Sequence, residues 1–339
     1  MTTELIFGTK KLGNIQVLRG LAALAVIMYH IVNDAAISQG IDIHFFHSLG
    51  SWGFCGVDVF FVISGFVMIE SQRTRPTNSF EFFKARLLRI VPIYWLLTFC
   101  YWVFATIAPS YFPHITATPS WLFTSLFFVS GILGIGKPII GQGWTLEFEM
   151  FFYLVFASSL WMRNSFRSGI LTIAVIVIAV LSFTLDHIMF EFCFGLLVGL
   201  IHQRFKLSKN IGYLLTLIGG GALLLELLFG NGQGNRVLFF GLPAMVLILG
   251  IVNLEQSKSR LLLALGEASY SSYLFQFFVI PMLFKLTEHI PVIRGSGDVL
   301  VLLFTVITVI AGQMLYLIVE KNLIARLKKH GHRTPDNLG

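Results

Sequence analysis

The chain has 339 residues, 56% of them hydrophobic and only 12% charged, with Phe (34) and Gly (31) both abundant. An ordinary soluble domain carries roughly 25% charged residues, so a water-soluble fold of this length is excluded and lipid is the solvent this composition suits. The formal net charge of +7 would fit nucleic acid, anionic lipid or an anionic ligand, and the placement of the charges decides among them.

Crossing about 30 Å of hydrocarbon takes about 20 residues of helix. That length predicts an all-α, polytopic transmembrane protein with about ten membrane-spanning helices, at 15–33, 52–70, 90–108, 144–162, 169–185, 188–203, 211–229, 236–253, 261–284 and 298–320. Lys10 and Lys11 resemble the start of a secretory signal, but the following run contains Arg19 and His30 and no small-residue cleavage site follows, so the first helix is expected to stay. Arg19 and His30 are eleven positions apart, a rise of about 16 Å close to three full turns, which puts both on one face.

The second span carries Asp58 in GVDVFFVISGF, some six residues from its outer end. At the inner end of the third, Arg86 and Arg89 in FFKARLLRIVPIYW share a helical face. With Arg19 they form a set of cations suited to a phosphate-bearing ligand. The apolar stretch 120–135 is short and bounded by Pro119 and by Gly131 to Gly136, so it is expected to re-enter or lie along the surface. Glu147 and Glu149 lie near the outer end of the fourth span, at the depth of Asp58. A charge at mid-membrane costs at least about 2.5 kcal/mol, so each needs a partner or a task. A neutral His30 oriented by a carboxylate is the usual form of a base near neutral pH.

Each of these residues also has a plainer alternative. The arginines can be topology charges snorkelling to headgroups, Asp58 a structural partner of an Arg or His, His30 a satisfied core histidine, and Glu147 a solvated entry residue. Cys55, Cys100 and Cys193 fall in or beside apolar segments with no CxxC spacing, which gives no metal or disulfide signature.

With ten spans and a cytoplasmic N-terminus, the inner segments hold twenty of the 24 basic residues, leaving only Lys137, Arg236, Lys285 and Arg294 outside. That asymmetry follows the positive-inside rule and puts both termini in the cytoplasm. The positive charge is spread over short loops without aromatic interleaving, which excludes nucleic acid as partner. There is no internal repeat or long linker, so residues 1–320 form one membrane domain, and 321–339 read as a short basic cytoplasmic tail anchored on lipid headgroups.

At these residues the sequence resembles the acyltransferase-3 family of integral membrane O-acyltransferases, whose members acylate polysaccharides, lipids and small secondary metabolites. The resemblance runs from NIQVLRGLAALAVIMYH to the final YLIVEKN. The family's arginine and histidine, ten residues between them, fall on Arg19 and His30, and its aspartate before a Phe-rich run on Asp58. Its paired basic residues before a Pro-x-Tyr-Trp turn fall on Arg86 and Arg89, ahead of Pro92, Tyr94 and Trp95. The Trp-Ser/Thr-Leu-x-x-Glu element falls on Trp144 to Glu149, which prefers Glu149 to Glu147, in a run that ends at Tyr153. The late Gly-x-x-Ser-Tyr-x-x-Tyr-Leu element falls on Gly266, Ser269, Tyr270, Tyr273 and Leu274, and the terminal glutamate on Glu320. Where many relatives carry a histidine soon after that Tyr-Leu, this chain has Gln276.

The motif forms GWTLEFEMFFY and GVDVFFVISGF are similar to the branch that acetylates bacterial exopolysaccharides or their lipid-linked precursors. Relatives that use a fused extracytoplasmic hydrolase-like domain carry a long C-terminal extension, which a chain ending at Gly339 is not expected to have. The resemblance implies acetyl-CoA or another acyl-CoA as co-substrate, no bound cofactor or metal, a saccharide acceptor, and a bacterial inner-membrane location. It implies Arg19, Arg86 and Arg89 on the CoA phosphates, with His30, Asp58 and Glu149 at the chemistry. On the residues alone, a proton-coupled transporter using His30, Asp58 and Glu149 as a relay, or a subunit of a polysaccharide export machine, also stays open.

Overall fold

The computed structural model describes residues 12–35, 40–108, 118–182, 185–230, 235–288, 290 and 296–331. Lys10, Lys11, Arg294, Arg333 and the end of the basic tail lie outside the described residues. The chain folds into α1 (Gly13–Asn33), α2 (Cys55–Thr74), α3 (Ser79–Ile107), the short α4 (Pro119–Leu126), α5 (Trp144–Ser159), α6 (Ser165–Leu181), α7 (Met189–Arg204), α8 (Lys209–Phe229), α9 (Leu242–Ile251), α10 (Arg260–Glu267), α11 (Ser269–Leu286), α12 (Gly297–Leu315) and α13 (Lys321–Gly331). Polar side chains start several of them. Asn78 accepts the Glu81 amide at 2.8 Å to open α3, Thr118 caps α4 just before Pro119, and Asn164 accepts the Arg167 amide at 3.0 Å to open α6.

Among the described residues, five helices are long and apolar enough to cross a membrane: α1, α2, α3, α8 and the continuous run Gly297–Leu327. α6 and the stretch Val237–Ile251 are apolar but shorter. The lipid face is visible in what the fold leaves uncovered. Leu217 and Phe229 on α8, and Val306, Ile310 and Met314 on α12, are all exposed. A belt of that size would be untenable in water and is the ordinary exterior of a helix bundle in hydrocarbon. The chain is therefore an all-helical integral membrane protein.

Burial ranks the helices. The core stretch of α2 is 83% buried against 17% for α8, so α2 is the central rod and α8 peripheral. α2 earns that position through its glycines. A Cβ on Gly65 would strike the Phe192 carbonyl of α7, and one on Gly195 would strike the Val62 carbonyl of α2. The two backbones touch because neither residue has a side chain. Beside that contact Phe61, Phe192 and Phe152 stack in sequence, with centroids 4.4 Å apart at each step. Gly195→Leu is expected to destabilise the protein by about 1–3 kcal/mol through overpacking, read as a lower unfolding temperature in detergent.

Helix ends gather at two poles. At one, Asn14 donates to the Ile251 carbonyl at 2.9 Å, Lys209 pairs with Glu255 at 2.5 Å, and Arg204 lies 4.3 Å from the Phe166 ring. This basic pole collects the starts of α1, α6 and α8 with the ends of α7 and α9. At the other, Arg236 reaches α2, and Tyr29 of α1 meets Phe54 at 5.8 Å.

Two predicted spans are interrupted, and the start of the predicted tail is helical. The stretch 261–284 is two helices broken at Ala268 (φ −85°, ψ 0°), just after Gly266 seats directly on the backbone of Gln16, and α11 goes on to pack Ile280 and Phe284 against Ile27 and Ile31 of α1. The stretch 236–253 begins as a π-helical turn, Val237–Gly241, before α9. Residues 321–331 are helical, continuing α12 through a second π-helical turn, Tyr316–Glu320, and Leu323 and Leu327 share a groove with Leu87 and Leu88 of α3. The segment 120–135 forms α4 and a series of turns, held from above by Trp95 Nε1 on the Leu126 carbonyl at 2.8 Å.

Candidate active site

A cavity of about 140 Å³ opens among α1, α2, α3, α5 and α11. Arg19 enters it from α1, and Arg86 and Arg89 enter from the first half of α3. The three arginines expected to act together therefore share one space, although the chain separates Arg19 from Arg86 by two helices. Arg86 is only 5% exposed, with its guanidinium 5.2 Å from the Phe82 ring and 5.7 Å from that of Tyr153, and Nη2 donates to Ser71 Oγ at 3.4 Å. Arg19 Nη1 reaches Gln16 Oε1 at 3.4 Å, and its surrounding charges are Arg89, Glu320 and Glu149. Toward the basic pole the lining includes Glu70, which Arg73 grips with Nε at 2.8 Å and Nη2 at 2.5 Å. That pairing neutralises Glu70 and leaves the arginine charge of the cavity in excess.

Deeper in, Glu149 Oε1 accepts from Ser64 Oγ at 3.0 Å and from the Tyr153 hydroxyl one turn along α5. Glu149 and Tyr153 are an i, i+4 pair, so one helix face presents both. Tyr273 bridges to Thr145 Oγ1 at 3.0 Å, tying α11 to the start of α5. Ser269 Oγ bonds the Gly266 carbonyl at 2.8 Å and the Tyr270 hydroxyl bonds the Ile90 carbonyl at 2.8 Å, so the break at Ala268 aims both residues into the cavity. Glu320 stands behind the wall, accepting from Ser271 Oγ at 2.5 Å, with Arg19 and Arg89 as its nearest cations.

The other expected site residues lie elsewhere. His30 sits in the last turn of α1, edge-on to the Tyr29 ring at 5.1 Å, and is not among the residues that line the arginine cavity. Neither carboxylate expected to orient it does so. Glu149 is committed to Ser64 and Tyr153, and Asp58, fully buried on α2, makes a two-point ion pair with Arg236: Nε to Oδ1 at 2.7 Å and Nη2 to Oδ2 at 3.0 Å. Asp58 thus takes the alternative of a structural partner to an arginine. Trp144 faces away from the arginine cavity into a second pocket shared with Arg236. Gln276 is fully buried, with Nε2 on the Tyr273 carbonyl at 2.9 Å.

Three further residues belong to this architecture, of which the sequence reading named Arg236 and Glu147 in plainer roles and passed over Glu191. Arg236 was one of four outer topology charges, and it is the counter-ion of Asp58. Glu191 on α7 is fully buried among Asp58, Arg236 and Asp186, and its two oxygens find no hydrogen-bond donor among the described residues. Its depth in an apolar helix was the available signal. Glu147 accepts the Ser130 amide at 2.9 Å and the Gly131 amide at 3.0 Å, so it pins the turn after α4.

The acyltransferase domain family, Acyl_transf_3, matches residues 12–317. The chain is 34% identical to the exopolysaccharide production protein ExoZ of Rhizobium meliloti, over 81% of this chain and 90% of that one. It is 26% identical to the acyltransferase MdmB of Streptomyces mycarofaciens, over 94% of this chain and 92% of that one. It is 24% identical to the O-acetyltransferase OatA of Staphylococcus aureus over 82% of this chain, which spans 52% of that protein. No solved structure matches the chain. With the family matched over nearly its whole length and a helical bundle around a buried polar cavity, the chain belongs to the acyltransferase-3 family and is a membrane acyltransferase.

Proposed function

We propose that this enzyme moves an acetyl or other short acyl group from cytoplasmic acyl-CoA to a sugar hydroxyl of an exopolysaccharide or its lipid-linked precursor, in a bacterial inner membrane. The observation that carries the reading is the convergence of Arg19, Arg86 and Arg89 in one cavity on the basic-pole side of the bundle. Three guanidinium groups in a partly dry cavity suit the phosphates of CoA, which planar, always charged forks bind with two parallel bonds. Ligand pockets usually hold about 300 Å³ or more, so in this reading the 140 Å³ cavity takes only part of the donor and the nucleotide stays at its mouth. The relationship to ExoZ supports an exopolysaccharide acceptor.

In this reading the helices cross the membrane ten times, α10 and α11 together making one crossing, with both ends and the basic pole in the cytoplasm. Residues 1–320 are the catalytic membrane domain and α13 begins the basic tail on the lipid surface. The arm runs along α1, where the rise from Arg19 to His30 is about 16 Å. His30 takes the proton from the sugar hydroxyl, whose oxygen bonds to the thioester carbonyl carbon. The C–S bond then breaks, and the thiolate leaves with the proton that His30 returns. His30 can instead carry the acyl group itself for one step, and labelled acetyl-CoA distinguishes the two by trapping an acylated protein. Glu149, held by Ser64 and Tyr153, serves the donor side, and Asp58 acts at one remove by fixing Arg236.

The test is transfer of radiolabel from acetyl-CoA to polysaccharide in inside-out membrane vesicles, with conservative arginine variants. Arg86→Lys and Arg89→Lys keep the charge and lose the fork. Each is expected to raise the KM for acetyl-CoA about tenfold or more, as fits one charge-assisted bond worth about 1.5–3 kcal/mol. An unchanged KM in both would remove the arginine cavity from donor binding.

A further inference from the structure

The arginine cavity has a neighbour. A second pocket, of about 500 Å³, lies at the opposite pole from Lys209 and Glu255, where the start of α5, the turn before α7 and the turn before α9 meet. Its polar lining is Trp144, Asp186, His187, Asn235 and Arg236. The two cavities share a wall: Trp144 packs edge-on to Phe61 at 6.4 Å, and Phe61 and Thr145, the residue after Trp144, line the arginine cavity. The same pocket is joined to His30 through rings. Arg236 lies 4.9 Å from Phe54, Phe54 is 5.8 Å from Tyr29, and Tyr29 is 5.1 Å from His30.

The chemistry of the lining separates its ligand from that of the first cavity. Among the described residues that line it, Arg236 is the only arginine or lysine, and Asp58 already balances that charge through Nε and Nη2. Asp186 adds a negative charge, so a phosphate-bearing molecule would be repelled. What remains is an indole, a carboxylate, a carboxamide, an imidazole and the further N–H groups of a fixed guanidinium. Planar polar groups bridge adjacent hydroxyls, and an indole covers the apolar face of a ring. Asp186 is set at the rim by accepting the Ile188 amide at 2.9 Å, and Arg236 is held from below, so the polar groups are positioned before anything binds.

We propose that this pocket is the acceptor subsite and binds a neutral pyranose of the saccharide, one ring against Trp144 and its hydroxyls on Asp186, Asn235 and Arg236. This rests on the acyl-transfer reading above and adds to it where the sugar sits. Donor and acceptor then approach from opposite poles, with Trp144 and Phe61 in the wall between them and His30 reached from this pocket past Phe54 and Tyr29.

The experiment uses full-length protein in a host that makes the unacylated polysaccharide, with ester-linked acyl groups counted on the purified polymer and acetyl-CoA binding measured on the purified protein. Asp186→Ala and Asn235→Ala change exposed side chains. Each is expected to lower polymer ester about tenfold at equal membrane level, with acetyl-CoA affinity unchanged, while Asp186→Asn, which still accepts the Ile188 amide, retains most of it. Full acylation in both alanine variants would overturn the subsite, as would a parallel loss of acetyl-CoA affinity, which marks a merely structural role. No ester from the wild type would instead overturn the transfer reading, and the subsite with it, before any variant is compared.

Discussion

His30→Ala is expected to lower acyl transfer by at least about a hundredfold while the protein reaches the membrane at the wild-type level. A positioned general base contributes about 10²–10⁴ in rate, and a transient acyl carrier cannot be replaced by water at comparable speed. The side chain sits in the last turn of α1, edge-on to the Tyr29 ring and partly buried, so the membrane level of the variant is measured beside its rate. Acetyl-CoA binding should persist, because Arg19 lies about 16 Å away along α1 and His30 is not among the residues that line the cavity it shares with Arg86 and Arg89. Initial rates of label transfer, measured with acetyl-CoA affinity on the same preparation, check both halves. A His30→Ala enzyme with wild-type rate would remove the residue from the chemistry.

Arg236→Ala is expected to cost about 3–5 kcal/mol of stability, because it leaves the fully buried Asp58 without its ion-pair partner. Asp58→Ala should cost less, since Arg236 is partly exposed and keeps the Phe54 and Trp144 faces at 4.9 and 5.9 Å. The paired change Asp58→Leu with Arg236→Met, which removes both charges, should recover most of the loss. Thermal unfolding in detergent orders the three variants. If the double variant is as unstable as Arg236→Ala, the ion pair is not what the single change breaks. The double variant should still transfer poorly, because it has lost the guanidinium of the acceptor pocket.

What the sequence made legible follows depth and spacing. The arginines of α1 and α3 were placed at one end by counting residues from helix starts, and the three-residue step from Arg86 to Arg89 put them on one face, which the shared cavity matches. Glu149 was preferred to Glu147 on motif grounds, and the structure separates them physically: Glu149 faces Ser64 and Tyr153, while Glu147 spends both oxygens on the backbone amides of Ser130 and Gly131. Pairings across long stretches of chain were not legible. Asp58 and Arg236 are 178 residues apart, and no periodicity links them. Nor did hydropathy reveal the break at Ala268 or the π-helical turns at Val237–Gly241 and Tyr316–Glu320, because an apolar run reads alike whether the helix is continuous or interrupted. These interruptions set the site's geometry. The first turns Ser269 and Tyr270 into the arginine cavity, the second follows Arg236, and the third carries Glu320 toward Ser271.

The same pairings bear on the transport alternative. A relay of His30, Asp58 and Glu149 needs the three in proton-transfer contact, whereas Asp58 is locked on Arg236 and Glu149 on Ser64 and Tyr153.

The most direct measurement is made in a host that exports an exopolysaccharide but lacks a transferase for it, by counting ester-linked acyl groups and polymer yield with and without the wild-type chain. Ester appearing only with the chain, at unchanged polymer yield, is the predicted result. An ester-free polymer, or a yield that rises or falls with the chain while no ester appears, would contradict acyl transfer to this class of acceptor.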